Sequence, residues 1–215
     1  MDTSTDKDPH LITPVLEGGA PASRAQATMI MLHGRGADAA GMIDLSQQLA
    51  QPHIRYLAPQ AAGRTWYPYP FTEPIEKNQP HLSSALNKIG ALIRQSVDEG
   101  TPQSKIFLFG FSQGACLALH YAAAHPVRLG GIIALSGALI GAQLNKGDYR
   151  GDLQQTPVFM GVGELETHFS LDRFHQTSEI MSHLNGNVMA HVYPNKGHQI
   201  TGEEVTYIRG LLSSF

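Results

Sequence analysis

One cysteine, Cys116, stands among 215 residues, which excludes an internal disulfide and any zinc site built on cysteine thiolates. Such a chain suits a reducing compartment. Charge is scarce too: Asp, Glu, Lys and Arg make up 15% of the residues, against roughly 25% in typical soluble domains. The 15 Lys and Arg against 18 Asp and Glu leave a net charge of −3, so there is no basic excess to hold phosphate backbones or anionic lipid surfaces. Nucleic acid is therefore not an expected partner. Near the termini the longest apolar stretch, Thr28 to Leu32, falls far below the roughly 20 residues that cross a bilayer, and stable membrane insertion is not expected. The start, Met1 to Asp8, is polar and acidic, without the basic and apolar regions of a signal peptide. Residues 1–8 are expected to form a disordered leader, and residues 9–215 a single cytoplasmic domain.

What is present is 42% hydrophobic residues arranged in short blocks. Three apolar runs, Met29 to Leu32, Ile106 to Phe109 and Ile132 to Leu135, each lead into a glycine, and a fourth, Val158 to Gly163, follows Pro157. Runs that are continuous rather than alternating suit strands covered on both faces of a parallel sheet. Weaker strands are expected at Ile54 to Leu57 and Val188 to Tyr193. Between them lie stretches of helical period, the clearest being Leu82, Ala85, Leu86, Ile89, Leu92, Ile93 and Val97, closed by Gly100. Further helices are expected at Ala37 to Leu49, Gln113 to Ala124, Leu171 to Leu184 and Glu203 to Leu212. This alternation predicts an α/β fold with a mostly parallel sheet and helices on both faces. The longest loop, Gln60 to Pro80, is of the kind that more often serves a site than not.

Gly110-Phe111-Ser112-Gln113-Gly114 matches G-x-S-x-G at the junction of an expected strand and an Ala/Leu-rich helix. That junction is where a nucleophile elbow lifts a serine hydroxyl clear of the backbone. A serine needs a base, and hydrolases of this type run serine, acid, histidine along the chain. His198, in a turn-rich loop before the last helix, fits as the base. The acid should come from the loop after Val158 to Gly163, which reads Glu164-Leu165-Glu166-Thr167-His168. In an extended segment both carboxylates point to one side, so Glu166 and Glu164 both stay open. An oxyanion hole requires two backbone N–H groups. Gln113, after the serine, offers one, and Arg35 in Leu32-His33-Gly34-Arg35-Gly36 offers the other.

These residues, with Ala58-Pro59-Gln60 and Gly197-His198, carry a resemblance. The chain after the leader resembles the phospholipase/carboxylesterase family of small α/β-hydrolases, which contains acyl-protein thioesterases and bacterial carboxylesterases. The resemblance implies an α/β-hydrolase fold without a separate cap domain, and cleavage of small-molecule carboxylic esters with short or medium acyl or alkyl groups through an acyl-enzyme. Thioesterase or lysophospholipase-type activity is the nearest alternative. It also implies that Ser112 is nucleophile, His198 base, and the Arg35 and Gln113 amides the oxyanion hole, with neither metal nor cofactor. The family's acid is usually an Asp followed by Pro; here Glu166 and Thr167 stand at those positions. Trp66, Tyr67 and Phe71, in the proline-stiffened Trp66-Tyr67-Pro68-Tyr69-Pro70-Phe71, are expected to wall an acyl or alkyl pocket. A metal site at Glu164, Glu166 and His168 has no recognised ligand spacing. A hydrolase-fold protein that binds its ligand without turnover is the alternative from another class.

Overall fold

The structure, a computed structural model, describes residues 8–213. Residues 1–7 of the expected leader lie outside that range, while Asp8 accepts a hydrogen bond from Ser84 Oγ and His10 is fully buried. Seven strands form one sheet: β1 (Val15–Gly19), β2 (Ala27–Leu32), β3 (Ile54–Pro59), β4 (Ile106–Phe111), β5 (Gly131–Leu135), β6 (Pro157–Gly163) and β7 (Asn187–Tyr193). Their order is β1-β3-β2-β4-β5-β6-β7, and every pairing is parallel except β1 with β3. The apolar runs read from sequence became β2 and β4 to β6, which are almost wholly buried. The sequence reading did not include β1. It is half exposed and ends in two glycines, so its shape comes from pairing with β3 rather than from its own hydrophobicity. Arg55 on β3 ties it down through Glu17, 2.9 Å away.

Among the described residues four α-helices lie between strands, α1 (Ala39–Leu49), α2 (His81–Asp98), α3 (Gln113–Ala124) and α4 (Leu171–His183), and α5 (Gly202–Leu212) follows β7. Successive strand residues point to opposite faces, so Ile30 and Leu32 pack with α2, α3 and α4, while Met29 and Met31 pack with α1 and α5. The first helix starts two residues later than periodicity suggested because Asp38 caps it, accepting from Gly41 N at 3.0 Å. Among the described residues, no helix is long and apolar enough to cross a membrane. The parallel strands all end on one edge of the sheet. The turns after β2, β4, β5, β6 and β7 therefore meet there, which is where open α/β sheets hold their ligands.

Candidate active site

β4 runs into α3 through Ser112, whose backbone sits at φ 54° and ψ −119°, a region side-chain-bearing residues rarely adopt. Two glycines make the close approach possible. A Cβ on Gly110 would stand 2.2 Å from the Gly114 carbonyl oxygen, and one on Gly114 would stand 2.1 Å from that of Leu32. The sharp turn projects Ser112 towards the loop after β7. There Ser112 Oγ lies 2.8 Å from His198 Nε2, and His198 Nδ1 lies 2.7 Å from Glu166 Oε2. An ionised carboxylate can only accept, so Nδ1 carries the proton and Nε2 is left to accept the Ser112 hydroxyl.

The loop after β6 turns at Glu164 and Leu165, with Glu166 N donating to Gly163 O at 3.2 Å. That turn separates the two carboxylates that an extended segment would have aligned. Glu166 faces His198, whereas Glu164 is exposed and accepts from Asn195 N at 3.3 Å. Glu166 Oε1 accepts from the backbone N–H of Thr167 (3.0 Å) and His168 (2.9 Å) and from His168 Nδ1 (2.8 Å). Burial works against its charge, but the hydrogen bonds from His198 and His168 outweigh burial and hold its carboxyl below the usual value. On the other side of His198, Lys196 Nζ donates to Glu204 Oε1 at 2.6 Å, both side chains being buried. Glu204 also closes the capping box of α5 with Thr201. This pair fastens the histidine loop to the last helix.

The turn after β2 is held just as closely. His33 Nε2 accepts from Ala61 N at 3.1 Å, so Nδ1 carries the proton and donates to Gly34 O at 2.7 Å. Gln60 adds a bond to the same ring at 3.2 Å, which couples the His-Gly turn to the Ala-Pro-Gln strand end. Burial lowers the His33 pKa. A Cβ on Gly34 would stand 3.3 Å from Ser112 Cβ, so the Gly34–Arg35 peptide lies directly against the serine. Among the described residues no hydrogen bond takes up the Arg35 or Gln113 N–H.

The side chains of Arg35 and Gln113 have a separate task. The Arg35 guanidinium donates to the carbonyls of Tyr67 (2.9 Å), Pro68 (3.0 Å) and Tyr69 (3.3 Å). Gln113 accepts from Trp66 N and donates to Tyr67 O, both at 2.8 Å. The aromatic loop is thus clamped to the two residues whose amides border Ser112.

A cavity of about 640 Å³ opens over Ser112, walled by Tyr67, Pro70, Phe71, Phe111, Phe169 and Cys116. Tyr67 and Phe71 stand where the sequence placed them, and Phe71 meets Phe169 edge-on at 5.4 Å. Trp66 does not reach the cavity. It is fully buried behind the loop, with its indole N–H donated to His33 O at 2.9 Å, so it holds the turn after β2 instead. Cys116 lines the floor, its thiol pushed up to about 11 by burial, which leaves it a small apolar wall rather than a nucleophile. Sequence reasoning missed Ser136, His168 and Phe169 as cavity residues. Ser136 follows an anticipated strand, at φ 52° with a buried hydroxyl that has no partner among the described residues.

A mostly parallel sheet bearing a serine on a strained strand-to-helix elbow, at the edge where the strand ends converge, defines an α/β-hydrolase. Residues 17–214 match the family model described as Phospholipase/Carboxylesterase, and the chain belongs to that family. It is similar to the crystal structure of a phospholipase/carboxylesterase from Dyadobacter fermentans, at 39% identity and a TM-score of 0.89 over 93% of this chain and 96% of that one. Acyl-protein thioesterase 1 of Debaryomyces hansenii is 29% identical, covering 90% of this chain and 93% of its own. The Bacillus cereus carboxylesterase shares the fold at 16% identity, with a TM-score of 0.75 over 97% of each chain.

Proposed function

We propose that the protein is a serine hydrolase that cleaves carboxylic esters with short or medium acyl or alkyl groups through an acyl-enzyme. The observation that carries this reading is the row Ser112–His198–Glu166, whose Ser112 and His198 line an apolar cavity. Ser112 Oγ attacks the ester carbonyl carbon while His198 Nε2 takes its proton. The negative charge on the carbonyl oxygen falls to the Arg35 and Gln113 amides, the latter at a helix N-terminus that favours it. Collapse expels the alcohol, which takes the proton from His198, and leaves the acyl group on Ser112. Water then attacks, His198 again acting as base, and releases the acid and the free serine. Both steps use protein groups and water alone. Tyr67, Phe71 and Phe169 give the acyl or alkyl chain its apolar surroundings.

Thioester cleavage is the second reading, favoured by the name of the Debaryomyces hansenii relative and by identical chemistry up to the leaving sulfur. Rates on p-nitrophenyl esters and acyl thioesters graded by chain length, each against Ser112→Ala, test both. The expected result is a maximum at short or medium esters, with Ser112→Ala losing on the order of 10⁶ in kcat. Equal rates in Ser112→Ala would overturn the enzyme reading in favour of binding without turnover.

A further inference from the structure

His168 is a group of the site that acyl transfer does not use. Its Nδ1 lies 2.8 Å from Glu166 Oε1, while His198 Nδ1 lies 2.7 Å from Glu166 Oε2, so two imidazoles flank one carboxylate. Their rings stand 4.1 Å apart, tilted by 40°. One ligand atom from each of Glu166, His168 and His198 falls within 4.8 Å of the others. This triple differs from the one that the local sequence suggested, because the fold brings His198 in from the loop after β7.

Two imidazole nitrogens and one carboxylate oxygen, with a fourth position left for water, form the donor set of a tetrahedral Zn²⁺ site. Nitrogen donors disfavour hard cations such as Mg²⁺ or Ca²⁺. Two of the three ligands are held in place. Glu166 is fixed by the Thr167 and His168 amides, and His198 packs against Phe111 at 5.1 Å. The His168 side chain is 61% exposed, so it has room to adjust to metal-ligand distances and gives a cation an entry from solvent.

We infer that Glu166, His168 and His198 form an inhibitory Zn²⁺ site that switches hydrolysis off reversibly. The inference rests on the triad reading above. Zn²⁺ takes the lone pair of His198 Nδ1, the atom whose proton now bonds Glu166. That proton is relocated through solvent to Nε2, so the ring stays neutral and His198 releases no net proton. In neutral, metal-bound His198 the proton resides on Nε2, which then has no lone pair for the Ser112 hydroxyl proton. Glu166 is drawn to the metal and no longer orients the base. The nucleophile is left without its acceptor although Ser112 itself is untouched.

The test is equilibrium dialysis of the full chain against zinc chloride, run beside hydrolysis of a p-nitrophenyl ester at the same free Zn²⁺. The expected result is one Zn²⁺ per chain, half-inhibition at the dissociation constant, and recovery with EDTA. His168→Gln should raise both midpoints at least about tenfold, a scale reached even when groups outside the ligand set are lost. Each rate is referred to the variant's own metal-free rate. His168→Asp, which restores a ligand atom, should recover most of the binding. Unchanged midpoints in His168→Gln, or binding without inhibition, would overturn the inference. Absence of Ser112-dependent hydrolysis would instead defeat the triad reading, and the inhibitory role with it, while dialysis still shows whether the cluster binds the ion.

Discussion

Glu166 stands where the family's acid is usually an aspartate, and the backbone after it bends its longer side chain back. Thr167, standing where the family usually has proline, supplies an N–H that proline would not have, and it donates to Glu166 Oε1 at 3.0 Å. The glutamate and the threonine therefore make sense as a pair. Glu166→Gln keeps the shape but removes the charge that selects the His198 tautomer, so kcat should fall by up to about 10⁴. Glu164→Gln should leave kcat nearly unchanged; steady-state kinetics giving the reverse order would move the role to Glu164. The depressed Glu166 pKa also fixes a sign for stability. Its contribution is fully present above the unfolded carboxyl value near about 4.3 and is lost as pH falls through the lower folded value. At this scale the serine and histidine were legible, one from its motif between strand and helix, the other from chain order. Spacing left the acid open between Glu166 and Glu164, because the choice depends on a turn at Glu164 and Leu165 that apolar periodicity does not encode; only the family resemblance put Glu166 at the acid position. His168 entered the reading only beside Glu164 and Glu166, in a cluster without recognised ligand spacing, and nothing local set it next to His198.

Strands and helices were legible wherever burial imposed a period, and the exceptions have physical reasons. β1 pairs through its backbone at the sheet edge, and Gly19, at φ 71°, sits where a Cβ would stand 2.2 Å from the Ile54 carbonyl oxygen. Such a requirement for glycine reads in sequence as a turn rather than a strand. The loop from Gln60 to Pro80 was expected to cover the site with its aromatics, and it divides the work. Tyr67 and Phe71 face the cavity, and Trp66 turns inward under the His33 turn. The Arg35 guanidinium spans three loop carbonyls. Arg35→Lys keeps the backbone amide and the charge but cannot span the three acceptors. The loosened loop should lower kcat/KM on the order of tenfold to 100-fold, the scale of a small displacement at a positioned site. An unchanged kcat/KM would show that the clamp is dispensable.

Across the molecule, the scarcity of charge follows from a sheet covered on both faces, with two apolar cores separated by β2 to β6. One titratable group inside this frame sets a pH dependence of folding. His120 on α3, its buried Nδ1 without a partner among the described residues, is held down at about 4 by burial. Between the unfolded value near about 6.5 and about 4, the unfolded chain binds a proton that the folded one does not. Stability should therefore fall with falling pH by up to about 1.4 kcal/mol per unit from this residue. Urea unfolding at pH 7 and pH 5 should show a shallower loss in His120→Gln than in the parent, and equal losses would remove His120 from that role. The account as a whole turns on whether Ser112 is a nucleophile made reactive by His198. Intact-protein mass after exposure to an organophosphonate electrophile tests this directly. The prediction is one adduct per chain, on Ser112, formed slowly or not at all in His198→Ala; an adduct elsewhere, or Ser112 labelled at the parental rate in that variant, would contradict it.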